Sequence, residues 1–126
     1  WVAAWDDYDT LTEDPQNEVS LMSYPNKQGI EERVFLIKTD RPYATSLPVR
    51  RSNHYLSSIE VLSREGSEIR LRFNWQTLSY RYAKTDQHWG TSFYTIDTSG
   101  PKPLITDKKV VLKNDHIHHV IDVYHI

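Results

Sequence analysis

The chain has 126 residues, of which 25% are charged and 12% aromatic, with a formal charge of −2 and no cysteine. A domain of this length buries roughly two-thirds of its unfolded surface, which predicts a single folded domain over residues 1–126. The near-balanced charge argues against a nucleic-acid binder, and no apolar run is long enough to span a membrane. The missing thiols exclude disulfides, thiolate zinc sites, cysteine nucleophiles and cysteine-held iron–sulfur clusters.

The N-terminal segment is predicted to start as a strand and continue as a loop. Residues 1–5 are apolar, and residues 6–17 form an acidic stretch that Pro15 interrupts. The chain does not begin with Met, and its apolar start is too short for a signal peptide. We therefore expect it to begin inside a longer natural protein.

A helix is predicted over residues 27–38, with Asn26 as its N-cap. Within it Ile30, Val34 and Ile37 recur at helical spacing. This spacing predicts one apolar stripe that faces a core.

The remainder of the chain alternates with a period of two, after an extended, proline-containing connection over 39–49. The predicted strands cover residues 54–64, 69–82, 88–97, 106–113 and 117–124, with turns at 65–67 and 99–101. One helix and four to six largely antiparallel strands predict an α+β fold, in which the helix packs on a curved, cone-shaped sheet or half-barrel.

The apolar pattern of the second strand changes phase partway along. One face carries Ile69, Leu71, Phe73 and Trp75, and then the other face carries Leu78, Tyr80 and Tyr82. This change predicts either a β-bulge near residues 76–77 or a strand that passes from one burial environment to another. Long bulged strands produce strongly curved sheets.

Three histidines near the C-terminus form a candidate metal site. His116 and His118 share one face of a predicted strand, and His119 follows directly. Two imidazoles on one face can chelate a metal ion, with Asp115 or a distant residue as a third ligand. The alternative is a histidine cluster at a surface or an interface.

His54 follows the pair Arg50 and Arg51. A histidine with a carboxylate inside a conical pocket supports acid–base catalysis in small cone-shaped isomerases and dehydratases. The alternative is that the two arginines pair with carboxylates of a neighbouring chain while His54 is hydrogen-bonded beside them. The sequence identifies no carboxylate partner for His54.

Several further residues are candidates for a subunit interface. Tyr80, Tyr82 and Trp89, with Trp75, are more large aromatics than one small core needs, and aromatic side chains often anchor interfaces. Residues 117–126 are apolar on both faces, so we expect them to pair into the sheet and be covered by neighbouring subunits. Asp122, Tyr124 and His125 would be the contacts there, with Asp122 and His125 as polar fasteners.

The sequence resembles the small (β) subunits of bacterial aromatic-ring-hydroxylating dioxygenases, most of all the anthranilate and benzoate branch. The resemblance is colinear over nearly the whole chain, and its ends are marked by Asn17-Glu18-Val19-Ser20-Leu21-Met22-Ser23-Tyr24 and by Val120-Ile121-Asp122-Val123-Tyr124-His125-Ile126. Between them lie Gly29 to Thr39, Pro48 to Ile59 and Val110 to Asp115. Two departures are Ser58, where the family usually has Asn, and the family's N-terminal helices, which precede the residues matched here.

The resemblance implies a cone-shaped fold like that of scytalone dehydratase and nuclear transport factor two. It implies a cytoplasmic, non-catalytic subunit that forms a homotrimer and supports three large α subunits in an α3β3 hetero-hexamer for aromatic compound catabolism. The α subunit would hold the Rieske 2Fe–2S cluster and the mononuclear non-haem Fe(II), with NAD(P)H used by a separate reductase. This chain would then hold no cofactor, metal or catalytic residue.

Two functions therefore stay open from the sequence. The first is a structural subunit of a multicomponent oxidoreductase. The second is a free-standing cone-fold isomerase, dehydratase or small-ligand-binding protein, which requires His, Asp and Tyr side chains that converge in an open cavity.

Overall fold

The computed structural model describes residues 2–3, 22–39, 51–118 and 121–126. The elements in chain order are β1 (Val2–Ala3), α1 (Lys27–Lys38), β2 (Arg51–Glu65), β3 (Glu68–Arg81), β4 (Lys84–Asp97), β5 (Leu104–Leu112) and a C-terminal 3₁₀ turn (Val123–His125). The acidic loop, the extended connection, Arg50 and His119 lie outside the described residues.

The strands form one sheet in the order β1-β5-β4-β3-β2. The strands β2 to β5 are antiparallel neighbours, and the short β1 pairs in parallel with β5. A two-residue turn at Tyr82 and Ala83 joins β3 to β4 with φ angles of +52° and +57°, which a type I′ hairpin requires. The predicted α+β class, with one helix and a largely antiparallel sheet, is confirmed.

Helix α1 has the predicted bounds, but a different face is turned towards the protein. Asn26 caps it by accepting a hydrogen bond from the backbone N–H of Gly29. The half-buried residues in the body of the helix are Gly29, Arg33 and Ile37, at a spacing of four. The predicted stripe is wrong at two of its three positions, since Ile30 and Val34 are exposed. The inward face is displaced by one residue because Arg33 forms an ion pair with the C-terminal turn.

The predicted bulge near residues 76–77 is also wrong. Strand β3 pairs without interruption there, and its buried side simply continues from Phe73 and Trp75 to the small polar residues Thr77 and Ser79. The register shifts instead lie in β2, between Ser57 and Glu60 and again between Val61 and Ser63. Ser58, inside the first shift, has a φ angle of +53°. The alternative expectation, two burial environments along one strand, describes β3 correctly, because Tyr80 is half exposed on the opposite face.

The C-terminal segment is not the strand predicted over 117–124. In its described residues it is irregular and ends in the 3₁₀ turn, whose N-cap is Asp122. The apolar residues Ile117, Ile121 and Ile126 pack against the buried cluster Phe73, Trp75, Val110 and Leu112. The chain end is therefore anchored by packing and capping on the sheet, and no described residue of it takes part in strand pairing.

At Gly90 the backbone of β5 occupies the space that a side chain on β4 would need. A Cβ atom at this position would lie 1.8 Å from the carbonyl oxygen of Val111. Only glycine fits there without displacing the backbone of β5.

Candidate subunit-contact surface

The sheet has two faces, and the pairing register assigns residues to them. A residue and its cross-strand partner share a face, and consecutive residues alternate between faces. The inner face is lined on β3 by the buried residues Phe73, Trp75, Thr77 and Ser79. The outer face carries the alternating residues Asn74, Gln76, Leu78 and Tyr80.

Three imidazoles lie in sequence across the inner face. The Nδ1 atom of His54 lies 3.0 Å from the Oγ1 atom of Thr77. Thr77 is the register partner of His88, and the ring of His88 lies 5.2 Å from the ring of His125. With Asp122, these residues make up what we call the histidine chain.

Asp122 organises the far end of the histidine chain. Its backbone N–H donates to Nδ1 of His125 at 2.8 Å, which makes that nitrogen an acceptor. Its carboxylate accepts from the backbone N–H of Val123 at 2.7 Å and from Arg33 on α1, through Nε at 2.9 Å and through Nη2. The hydrogen bond to Asp122 raises the pKa of Arg33 above its ordinary value, so the guanidinium stays charged at any physiological pH.

Imidazoles and carboxylates are the usual general acids and bases, so the histidine chain is the part of the molecule that most resembles a catalytic site. The side chains of Asp122 and His125 are, however, fully buried. The ion pair of Asp122 joins the C-terminal turn to α1, and the ring of His125 packs against His88 on β4. In this arrangement a substrate cannot reach either group, and both have a structural role inside the fold.

The C-terminal histidines His116 and His118 lie side by side, with ring centroids 4.5 Å apart. Within the described ranges no group of three His, Asp or Glu side chains is placed to hold a metal ion. The third predicted member, His119, lies outside those ranges.

The predicted interface residues fall into two groups that the structure does not bring together. Arg51, Tyr80 and Trp89 share the outer face, where Tyr80 and Trp89 are about half exposed. Tyr82 is exposed in the β3–β4 turn, with the guanidinium of Arg81 4.6 Å from its ring centroid. The second group is on the inner side, where His54, Asp122 and His125 belong to the histidine chain and Tyr124 packs on His125.

A pocket of about 300 Å³ opens on the outer face near Trp89. Its polar lining comes from Asn74, Gln76, Gln87 and Lys113, with Trp75 and Gly90 contributing beside them. Among the residues that the structure describes here, Lys113 is the one ionisable residue of the lining, and no carboxylate takes part. The lining is therefore rich in hydrogen-bond donors and carries one positive charge.

The pocket is held in shape by the chain just beyond β5. The backbone N–H of Lys113 donates to the carbonyl oxygen of Trp89 at 2.9 Å. The Asn114 amide then bridges two residues of β4, because it accepts from the N–H of Trp89 at 3.0 Å and donates to the carbonyl oxygen of Gln87 at 3.0 Å. These bonds extend the pairing of β4 with β5 by two residues and fix Lys113 beside Trp89.

Sequence reasoning found Trp89 but missed the rest of this pocket. Asn74 and Gln76 were visible as the polar alternation of β3, although nothing in the sequence set them apart from solvent-facing residues. Lys113 was visible only as the last residue of a predicted strand. The register of β3, β4 and β5 is what brings them together, and register depends on pairings that are distant in sequence.

One helix and a curved antiparallel sheet, with the inner polar groups bonded to one another, define a cone-like α+β domain of the nuclear transport factor two type. The solved β subunit of benzoate 1,2-dioxygenase from Burkholderia mallei aligns with a TM-score of 0.78 at 45% identity, covering 100% of this chain and 74% of that one.

Sequence comparison gives the same family. A family model described as the ring hydroxylating beta subunit matches residues 1–119. The chain is 56% identical to the benzoate 1,2-dioxygenase β subunit of Acinetobacter baylyi, covering 100% of this chain and 74% of the relative. It is 54% identical to the toluate 1,2-dioxygenase β subunit of Pseudomonas putida, covering 100% of this chain and 77% of the relative. The anthranilate 1,2-dioxygenase small subunit of Acinetobacter baylyi is more distant, at 29% identity.

The chain therefore belongs to the ring hydroxylating beta subunit family, and it is a subunit of an oxidoreductase complex. In the described residues, no helix combines the length and the apolar character needed to cross a membrane.

Proposed function

We propose that the chain is the non-catalytic, structural β subunit of an aromatic-ring-hydroxylating dioxygenase. It forms a cytoplasmic homotrimer that supports three large α subunits in an α3β3 assembly. The iron centres belong to the α subunits, and a separate reductase supplies electrons from NAD(P)H.

The observation that carries this proposal is the burial of the acidic and basic side chains on the inner face. A catalytic cone presents its acid and base to a cavity, whereas here Asp122 and His125 are fully buried and engaged with Arg33 and with each other. Meanwhile Tyr80 and Trp89, of residue types that anchor interfaces, are about half exposed on the outer face. The polar groups thus support the fold, and the exposed surface supports association.

The residues of this chain do not fit the proposed cofactors, which supports placing those cofactors in the partner. A Rieske cluster needs two cysteine ligands, and the chain has no cysteine. A mononuclear non-haem iron needs two histidines and a carboxylate with open positions. The carboxylate of Asp122, whose backbone N–H bonds His125, is fully buried and paired with Arg33.

For the substrate we propose benzoate or a ring-substituted benzoate. The relatives that act on benzoate and toluate, at 56% and 54% identity, support this choice over anthranilate, whose subunit is 29% identical. The large subunit would select among these acids, because the pocket that binds the reacting ring lies with its iron.

The experiment is to express the chain with and without its cognate large subunit and to measure mass, iron content and turnover. We expect iron and turnover only in the complex. In that complex, His54→Ala and His118→Ala should leave the iron spectrum and the turnover per assembled complex unchanged. Lost turnover in a fully assembled, iron-loaded complex would contradict the non-catalytic role.

The competing function is a free-standing acid–base enzyme that would use the exposed end of the histidine chain at His54. This function requires the isolated chain to bind or convert a small molecule and requires its activity to depend on His54 or His88. A monomeric chain that turns over a substrate without any large subunit would establish it and overturn the proposal above.

A further inference from the structure

The outer-face pocket beside Trp89 has a composition that the structural role alone does not explain. Its polar groups are the amides of Asn74, Gln76 and Gln87 and the ammonium of Lys113. We propose that this pocket receives a carboxylate side chain, Asp or Glu, of the large subunit. The inference rests on the proposed function and adds the place and the chemistry of the contact.

The ligand is an anion because of the balance of donors and acceptors in the lining. Each amide offers two N–H donors beside one accepting oxygen, whereas the ammonium of Lys113 offers three donors and no acceptor. Among the described residues of the lining there is no carboxylate to balance that charge. The Asn74 amide oxygen is already used, since it accepts from Thr91 Oγ1 at 3.2 Å, so its N–H groups are what it has left to offer. A carboxylate accepts several hydrogen bonds at once and would neutralise Lys113.

The donors are preorganised, as expected of a contact site. Lys113 and Trp89 are joined through the backbone, and Asn114 clamps the backbone of Gln87 and Trp89. The chain that carries Lys113 is therefore fixed before any partner arrives, and less conformational entropy is lost on binding.

The surroundings of the pocket favour a protein as the source of the carboxylate. In the register Tyr55, Gln76 and Trp89 lie in one row across β2, β3 and β4, and both aromatic side chains are close to half exposed. Arg51 and Tyr80 continue the same face towards the β3–β4 turn. A small-molecule site encloses most of its ligand, whereas a row of aromatic and arginine side chains around an open pocket is typical of an interface centre. The positive charges at Lys113 and Arg51 complement an acidic partner surface.

The test compares Lys113→Glu with Lys102→Glu in the complex with the large subunit. Lys102 precedes β5 and Lys113 follows it, so the two exposed lysines mark opposite ends of one strand. We expect Lys113→Glu to weaken association about tenfold or more, and Lys102→Glu to leave it unchanged, in sedimentation or surface-based binding measurements. Both variants should keep the wild-type circular dichroism and melting temperature, because neither side chain is buried.

The salt dependence of association tests whether Lys113 acts through its charge. Wild-type association should weaken with added salt, and Lys113→Gln should reduce that dependence. Unchanged association of Lys113→Glu with the large subunit would overturn the proposal while leaving the structural role intact. Failure of the wild-type chain to bind the large subunit at all would overturn the structural role itself.

The occupant is checked on the isolated chain. If Lys113→Glu abolishes self-association of the isolated chain but leaves its binding to the large subunit intact, the pocket receives a second copy of this chain. If benzoate quenches tryptophan fluorescence saturably in the wild type but not in Lys113→Gln, the pocket takes a free aromatic acid. Either result contradicts the large subunit as the source. We expect the wild type and Lys113→Glu to self-associate equally, and we expect benzoate to cause no saturable quenching of the wild-type fluorescence.

Discussion

Arg33 and Asp122 are 89 positions apart in sequence and form an ion pair with two contacts, which ties α1 to the C-terminal turn. The Asp122 side chain is fully buried, while the Arg33 side chain is 31% exposed. The pair therefore holds α1 and the C-terminal turn together on the inner side of the sheet.

Replacing Arg33 with Ala should lower the free energy of unfolding by about 3 kcal/mol, because the buried carboxylate of Asp122 loses its counter-charge. The value is at the lower end for buried pairs since water reaches part of the guanidinium. Arg70→Ala is the control, because its ion pair with Glu68 is exposed and should be worth less than about 1 kcal/mol. Denaturant unfolding followed by circular dichroism measures the free energy of unfolding of both variants. Equal losses would show that the ion pair of Arg33 with Asp122 stabilises the fold no more than an exposed pair does.

Gly90→Ala should be among the most damaging single-methyl additions in the chain. The new Cβ atom would lie 1.8 Å from the carbonyl oxygen of Val111, and a backbone atom cannot move aside as a flexible side chain can. We expect a loss of about 3 kcal/mol or more, or insoluble protein. Gly100→Ala is the matched control, since among the described residues the atom nearest to its new Cβ would be the Lys102 carbonyl oxygen at 3.8 Å, and it should be tolerated. Thermal unfolding of the two variants gives the comparison.

Ser58→Asn should stabilise the chain. Ser58 has a φ angle of +53°, a left-handed conformation that Asn adopts more readily than Ser. We expect a gain of about 0.5–1 kcal/mol in denaturant unfolding. The control is Ser57→Asn on the same strand, whose residue has no positive φ and pairs regularly with Asn74. A gain at Ser57 as large as at Ser58 would mean that the backbone conformation is not the cause.

Asp97 makes a small acid-dependent contribution to stability. Its carboxylate accepts from the Ser99 N–H at 2.9 Å and from Ser99 Oγ at 2.7 Å, and these bonds, with a smaller contribution from Ser67, hold its pKa below 3.8. A lowered folded-state pKa means that the stabilisation is complete above the unfolded value of about 3.8 and is lost as pH falls through the folded value.

The measurement for Asp97 is an NMR titration of its carboxyl carbon. The wild-type midpoint should lie below 3.8. Ser99→Ala, which removes the Oγ donor and keeps the backbone donor, should raise it part of the way. Ser57→Ala, distant on β2, should not move it, and a wild-type midpoint at or above the ordinary value would refute the turn's role.

Short-range sequence patterns predicted the bounds of the helix and strands well where a cap or the apolar spacing determines them. The N-cap at Asn26 and the apolar spacing located α1 at its observed bounds, and the alternation located β2 to β5 to within a few residues. The inward face of α1 was missed because a buried ion pair with Asp122 outweighs the exposed apolar residues. Such a pair involves residues that the sequence separates widely, so no local pattern reports it.

The remaining errors have similar causes. The predicted bulge at residues 76–77 is wrong because Thr77 and Ser79 continue a buried face without apolar side chains. The true register shifts, further along β2, have no sequence signal, since Ser58 is not a glycine although its φ is positive. The apolar character of residues 117–124 on both faces predicts a strand, whereas these residues pack on the sheet without pairing into it. Their cap joins Asp122 with His125, a pairing outside the usual Ser or Thr with Glu or Gln pattern. The interface residues await the binding experiments.

The two register shifts in β2 have a consequence for the behaviour of the free subunit. Among the described strands β2 is at the edge of the sheet, and a long apolar edge is a template on which other chains can polymerise. The kinks at Ser57–Glu60 and Val61–Ser63 interrupt that template, so an incoming strand cannot follow it from end to end. The distortion that bends the sheet thus also protects newly made subunits from aggregation before assembly.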